Sequence, residues 1–278
     1  MTDFSMETPE ETVERLIIYA ERIHQNVAQA KVLYACFQSL NENRDLHERI
    51  VKTPAGFASN TLMNSVLREL MMIIVRASDK RGGYKLEKTD KVTFPIIAES
   101  IAREPIHALL LQQARNWFDD GYRADENEAS VRKAILDLNE RLEKLQTEDP
   151  NREKRLRNHR NVFLAHDLHR PVPNDPPLFG DISELLEEMR LLSESATLAI
   201  RGSEVSWELL DDEVKRSADW LWKKVGQEEV DDELDDVRSP MGTPPRSPRA
   251  GDRGTTRPII IDRLCGFFRG RKGRKKNA

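Results

Sequence analysis

Three features of the sequence predict an all-α protein built as an up-and-down helical bundle. Leu, Ala, Glu, Lys and Arg dominate the first 237 of 278 residues, a composition typical of helical bundles. Apolar residues recur at alternating spacings of four and three, which is the period of one helix face. No stretch of useful length alternates apolar and polar residues as a half-buried strand would. We therefore expect a helical domain over residues 1–226 and a separate tail over 227–278.

The N-terminal half of the bundle begins with the clearest helix of the chain. Its apolar seam consists of Leu16, Ala20, Ile23, Val27, Ala30, Tyr34 and Phe37. Thr8 or Thr12 is the expected N-cap, since a threonine hydroxyl accepts a hydrogen bond from a free backbone amide. A second helix is predicted to end near Asp79, before the Gly82-Gly83 pair, and its seam is Leu62, Val66, Leu70, Ile73 and Ala77.

Two proline signals predict the next helices. Thr93-Phe94-Pro95 combines a capping residue with a proline in the first turn, where its missing amide costs nothing. Pro105 is expected to begin another helix for the same reason. A longer helix follows, with the seam Val131, Ile135, Leu138, Leu142 and Leu145. Asp149-Pro150 should end it, and we expect the next helix to begin at about Arg152.

The last part of the bundle follows a stiff, proline-rich loop. Residues 170–177 contain four prolines, which remove backbone donors and fix φ, so this segment cannot be helical. The next helix is expected to have Asp181 or Ser183 as its cap, to end at Gly202, and to bury Ile182, Leu185, Met189, Leu192, Ala196 and Ala199. Ser206 is the expected cap of the final helix, whose seam is Trp207, Leu210, Val214, Ala218, Leu221 and Val225.

The tail has a different composition from the bundle. An acidic run over 228–236 is followed by twelve Lys and Arg against two Asp over 238–278, although the whole chain carries a net charge of −4. Such a composition cannot bury a core, and we predict that this tail is disordered. The simplest interpretation is a solubilising tail. An apolar segment over 259–268 precedes the polybasic end, so contact with nucleic acid, an anionic membrane or the acidic run stays open.

Composition also sets the expected environment. Cys36 and Cys265 lie far apart in the sequence, so a disulfide framework is not predicted. The acidic N-terminus does not resemble a secretory signal, and no apolar stretch approaches the roughly 20 residues that span a bilayer. We expect a cytoplasmic protein.

The segment most suited to chemistry runs from Arg157 to His166. Histidine moves protons near neutral pH, arginine holds phosphate oxygens, and asparagine fixes geometry without adding charge. On an ideal helix His159 and His166 share one face, whereas the Cβ vectors of Arg160 and His166 diverge by roughly 120°. Three interpretations stay open: core histidines beside a solvated arginine face, a zinc site that includes His169, and phosphate chemistry.

The motif itself resembles that of a known superfamily. Residues 160–166, Arg-Asn-Val-Phe-Leu-Ala-His, resemble the R-[polar]-x(3–5)-H signature of HEPN proteins. The long first helix with Leu33-Tyr34 and Phe37, and Arg76-Ala77-Ser78-Asp79 at the end of the second, resemble the AbiU-type (abortive infection) branch of that superfamily. The resemblance covers roughly residues 10–205 and implies a HEPN-like bundle.

The resemblance implies a metal-independent endoribonuclease of a toxin or phage-defence system, active as a homodimer and without a cofactor. Arg160 would bind the scissile phosphate, His166 would act as general acid or base, and Asn161 would orient one of them. His159 is a possible auxiliary proton carrier. The RNA product would end in a 2′,3′-cyclic phosphate.

Further partners and a rival function accompany this expectation. Arg155 and Arg157 are candidate RNA-binding residues beside the motif. A nucleotidyltransferase-type antitoxin is a possible protein partner, because such proteins often accompany HEPN toxins. The alternative function is a non-catalytic HEPN-like bundle that dimerises and binds other proteins, with the motif retained for packing.

Overall fold

The protein is all-α. The computed structural model describes residues 7–53, 55–80, 82, 91–118, 121–147, 150–161, 178–204 and 206–226. This part of the chain contains no strand and forms the helices α1 (Pro9–Glu42), α2 (Arg44–Lys52), α3 (Gly56–Ala77), α4 (Phe94–Ile101), α5 (Glu104–Arg115), α6 (Ala124–Thr147), α7 (Pro150–His159), α8 (Phe179–Arg201) and α9 (Trp207–Val225). The predicted fold class is confirmed.

Helix α1 lies at the centre of the bundle. It packs against α3, α8 and α9 along much of its length, and also contacts α2, α4 and α5. Its predicted seam is buried except for Tyr34, which is half-buried. Thr8 is the N-cap: its Oγ1 accepts a hydrogen bond from the Glu11 amide at 3.2 Å, and Glu11 Oε2 accepts one from the Thr8 amide at 2.8 Å. This reciprocal pair fixes where the helix begins.

The region between α1 and α3 differs from the prediction. Asn43 interrupts the helix and caps a short α2, because its Oδ1 accepts a hydrogen bond from the Leu46 amide at 3.1 Å. The sequence reasoning missed α2, whose nine residues show only two buried positions, Leu46 and Ile50. Helix α3 then begins at Gly56, and Leu62, predicted to be in its seam, is 49% exposed.

The buried apolar side chains form two clusters. The larger one joins α1, α3, α4, α5, α6, α7, α8 and, through Trp207, the start of α9. The smaller one contains Leu40, Leu46, Ile50 and Trp222, where the end of α9 packs against α2. Trp222 occupies the position that the sequence assigned to Leu221, which is 37% exposed. The last buried residue of α9, Trp222, therefore follows Ala218 by four residues, whereas the sequence predicted a spacing of three.

The predicted helix ends hold in most places. Thr93 caps α4, with its Oγ1 accepting from the Ile96 amide at 3.4 Å, and Gly202 ends α8 in the left-handed conformation at φ 65°. Ser206 is the N-cap of α9. The cap of α8 was wrong: Leu178 is the N-cap, and Asp181 lies in the first turn, where its carboxylate accepts from the Leu178 amide at 2.7 Å.

Helix α7 carries the start of the motif. It ends at His159, and Arg160 and Asn161 continue the chain in a wider π-type turn, a departure that occurs frequently at functional sites. Residues 162–177, which include His166 and the proline-rich segment, lie outside the described residues. The predicted tail over 227–278 also lies outside them.

Candidate functional site

Two features attach α7 to the bundle. Leu156 is fully buried in the larger apolar cluster, where α7 meets α3 and α6. On the other side, Arg155 donates two hydrogen bonds to Asp181 of α8, at 2.9 and 2.6 Å, and Arg152 lies 2.7 Å from Glu184. The helix is thus anchored on an apolar side and on a charged side, which fixes the direction of the residues that follow it.

The guanidinium group of Arg160 is held on two of its edges. Its Nε and Nη2 donate to Oδ1 of Asn161 at 3.0 and 2.9 Å, and its Nη1 donates to Oδ2 of Asp79 at 3.1 Å. The side chain is 15% exposed. A planar guanidinium with this many fixed donors has a defined orientation, which is a requirement for aiming it at an oxyanion.

Asp79 joins Arg160 to a second arginine. Its Oδ1 accepts a hydrogen bond from Arg157 Nη1 at 2.5 Å, while its other oxygen faces Arg160. Asp79 follows the end of α3, and both arginines belong to the end of α7 or the turn after it. One carboxylate therefore bridges two cations across two helices.

A pocket of about 530 Å³ opens beside this bridge. Its described lining is strongly basic and consists of Asp79, Lys80, Gly82, Lys91, Lys154, Arg157 and Arg160. Five cations against one carboxylate give this pocket a positive potential, although the chain as a whole is acidic. Such a pocket favours a ligand that carries phosphate groups.

Two predicted residues lie elsewhere. His159 is buried, with 6% of its surface exposed, and it does not line the pocket. Burial lowers the pKa of its imidazole, and the nearby Arg68 of α3 lowers it further, so His159 is neutral at pH 7. Arg155, expected to bind RNA, forms the anchoring ion pair with Asp181 instead of lining the pocket.

The motif residues are thus partly assembled. The structure brings Arg157, Arg160 and Asn161 together, while His166 lies outside the described residues. Sequence reasoning placed Asp79 at the end of its helix but did not pair it with Arg160. It also missed Lys80 and Lys91 as neighbours of the motif, whereas Lys154, three residues before Arg157, is close to the motif in the sequence. The packing of α3 against α7 brings Asp79 and Lys80 to the motif, and no spacing within the chain signals it.

A second, larger pocket does not suit the same chemistry. It measures about 700 Å³ and lies between α1, α8 and α9. Its charged lining is mixed: Lys31, Arg44 and Lys215 lie among Glu42, Asp45, Glu187, Asp211 and Asp219. Since Lys31 is already paired with Asp211 at 2.9 Å, carboxylates prevail, and a phosphate would be repelled.

Comparison with known proteins gives no match: no family model, no curated protein and no solved structure matches the chain. Within the described helices, none is both long enough and apolar enough to cross a bilayer. No three His, Cys, Asp or Glu side chains of the described residues are grouped as a metal ion would require. Of the three histidines considered for zinc, only His159 belongs to that part of the chain.

Proposed function

We propose that the protein is a HEPN-type, metal-independent endoribonuclease of a toxin or phage-defence system. The observation that carries this proposal is the placement of Arg160. Its guanidinium is oriented by Asn161 and lines a basic pocket of the size that small ligands occupy. The resemblance of residues 160–166 to the HEPN signature supplies the reaction that this placement supports.

The proposed reaction needs only groups of the protein and the RNA. The RNA 2′-oxygen attacks the adjacent phosphorus and forms a new P–O bond, while the bond to the leaving 5′-oxygen breaks. His166 takes the proton of the 2′-hydroxyl or gives a proton to the 5′-oxygen, and water exchanges the other proton. Arg160 stabilises the negative charge that builds on the phosphate oxygens, and Asn161 keeps its guanidinium in place. The products are a 2′,3′-cyclic phosphate and a 5′-hydroxyl.

The charge of the site supports an anionic substrate. The chain has a net charge of −4, which repels RNA at long range. Salt screens that repulsion beyond roughly 8–10 Å, so the local potential of the pocket decides binding. Lys80, Lys91 and Lys154 line the same pocket as Arg160 and contribute to that local potential.

A second candidate function is favoured by the contacts of Arg160. Its Nε, Nη1 and Nη2 all donate to Asp79 or Asn161, so the residue also ties the end of α3 to the end of α7. A residue with this role suits a non-catalytic bundle that dimerises or binds another protein, for example an antitoxin. In that case the motif stabilises packing.

Two variants separate the candidates. For a ribonuclease, Arg160→Ala and His166→Ala abolish RNA cleavage. Light scattering then shows that both variants keep the oligomeric state of the wild type. For an interaction module, the wild type cleaves no RNA in EDTA, and Arg160→Ala changes the oligomeric state. Lys223→Gln is the matched control, because Lys223 is exposed on α9 and does not line the pocket. It should leave both readouts unchanged.

A further inference from the structure

The bridging geometry of Asp79 carries an inference beyond the assignment of Arg160. The two oxygens of its carboxylate are each bonded to a different arginine, Arg157 and Arg160. Two oxygens of a phosphodiester, attached to one central atom, can bond the same two guanidinium groups in the same manner. Asp79 therefore occupies a place that suits a phosphate.

Asp79 is within reach of solvent and of the pocket. Its side chain is 21% exposed, and that of Arg157 is 31% exposed, so the bridge is not sealed inside the core. An ion pair with this exposure is screened by water and is weaker than a fully buried one. An incoming dianion or polyanion can therefore compete with it.

The pocket contains two further cations that suit a phosphate ligand, Lys80 and Lys154. Neither Lys80 nor Lys154 forms an ion pair with any residue of the described part of the chain, yet both line the pocket with Asp79. Lys80 follows Asp79 directly, and Lys154 lies one helical turn before Arg157, on the side of α7 that faces the pocket. Their ammonium groups extend the positive surface beyond the bridge.

We propose that this pocket binds backbone phosphates of single-stranded RNA, and that Asp79 is an internal competitor that a phosphate displaces from Arg157 and Arg160. Lys80 and Lys154 bind the phosphate groups next to it. The choice of RNA rests on the proposed function. The competitor keeps both guanidinium groups oriented when no substrate is bound, and it lowers the affinity for short or weakly charged ligands.

The test is binding of a fluorescein-labelled, single-stranded 2′-O-methyl RNA, measured by fluorescence anisotropy in EDTA at several salt concentrations. This probe cannot be cleaved, because the 2′-oxygen has no proton to lose. Asp79→Asn keeps an oxygen acceptor and removes the charge, so the RNA should bind about fivefold more tightly, as expected for one unit charge about 4 Å away in water. Asp212→Asn on the exposed side of α9 is its control and should bind as the wild type does.

The lysines give an independent measurement. Lys80→Gln and Lys154→Gln should each lower the slope of log K against log salt by about 0.7, the value for one lost phosphate contact on a single strand. Lys223→Gln should leave the slope unchanged. If Asp79→Asn fails to fold, as circular dichroism would reveal, the two lysine variants decide the question on their own.

Several results would overturn the inference. One is a folded Asp79→Asn protein that binds the RNA as weakly as the wild type or more weakly. Asp79 would then only hold the two arginines in place and would not compete with the RNA. Another is an unchanged salt slope in both lysine variants, or no binding by the wild type. Binding as predicted without cleavage of unmodified RNA would keep the inference and remove the ribonuclease. RNA cleavage that Asp79→Asn, Lys80→Gln and Lys154→Gln all leave unchanged would keep the ribonuclease and remove the inference.

Discussion

Removal of the Asp181 carboxylate tests whether a charged anchor holds α7 in place. In Asp181→Ala, Arg155 loses two hydrogen bonds, of 2.6 and 2.9 Å, and the Leu178 amide loses one of 2.7 Å. The side chains are 7% and 15% exposed, so the pair is nearly buried. Breaking a buried pair costs about 3–5 kcal/mol. Because some water still reaches Arg155, we expect a loss of about 2–4 kcal/mol in the free energy of unfolding.

The assay is urea unfolding, supported by a thermal scan. For a domain of this size the loss corresponds to a fall in Tm of about 4–16 °C. Glu184→Ala is the matched control, because Glu184 also pairs with an arginine of α7 from the start of α8 but is 61% exposed. Exposed pairs contribute about 0–1 kcal/mol, so this variant should change little. Equal losses in the two variants, or a loss below about 0.5 kcal/mol in Asp181→Ala, would refute the reasoning.

Three further predictions concern other parts of the bundle. Burial lowers the pKa of His159, so the unfolded chain takes up a proton more readily than the folded one, and the free energy of unfolding should fall as the pH drops through 6.5. His159→Leu should reduce that fall, as measured by urea unfolding between pH 7.5 and 5.5. The same fall in the variant as in the wild type would contradict this. Gly202→Ala should cost about 1–3 kcal/mol more than Gly121→Ala in the same assay, because both glycines have positive φ but only a Cβ at Gly202 would clash with the ring of Trp117. Equal costs would exclude the clash. Leu156→Ala should lower the free energy of unfolding by about 2–5 kcal/mol, because its side chain is fully buried; a loss below about 1 kcal/mol would show that α7 is not anchored there.

The fold could be predicted from the periodicity of apolar residues and from the capping residues of the helices. The seams of α1, α6 and α8 are long and regular, and nearly all of their members are buried. Caps such as Thr8 and Thr93 are local, because a hydroxyl satisfies an amide three residues away. Helix α2 was not predicted, because this short helix is held by contacts with Trp222, which is distant in the chain. The N-cap of α8 was also mispredicted. Leu178 has no capping side chain, and its backbone amide is satisfied by the Asp181 carboxylate instead.

The site was predictable only in its local part. Arg160 and Asn161 are neighbours in the chain, and their hydrogen bond follows from the motif. Asp79 lies 81 residues before Arg160, so their ion pair depends on how α3 and α7 pack. The interpretation of His159 as a core histidine agrees with its burial, which it shares with Leu156 one turn earlier. The helical phase could not show that Arg155 would be used for anchoring, since its partner Asp181 belongs to another helix.

The measurement that tests the central claim most directly is the analysis of RNA ends after incubation with the purified protein in EDTA. The account predicts fragments with 2′,3′-cyclic phosphate and 5′-hydroxyl ends, formed by the wild type and absent with His166→Ala. Intact RNA from several classes, incubated with a folded wild-type protein, would contradict it. So would fragments with 3′-hydroxyl ends, since attack by the 2′-oxygen cannot produce them.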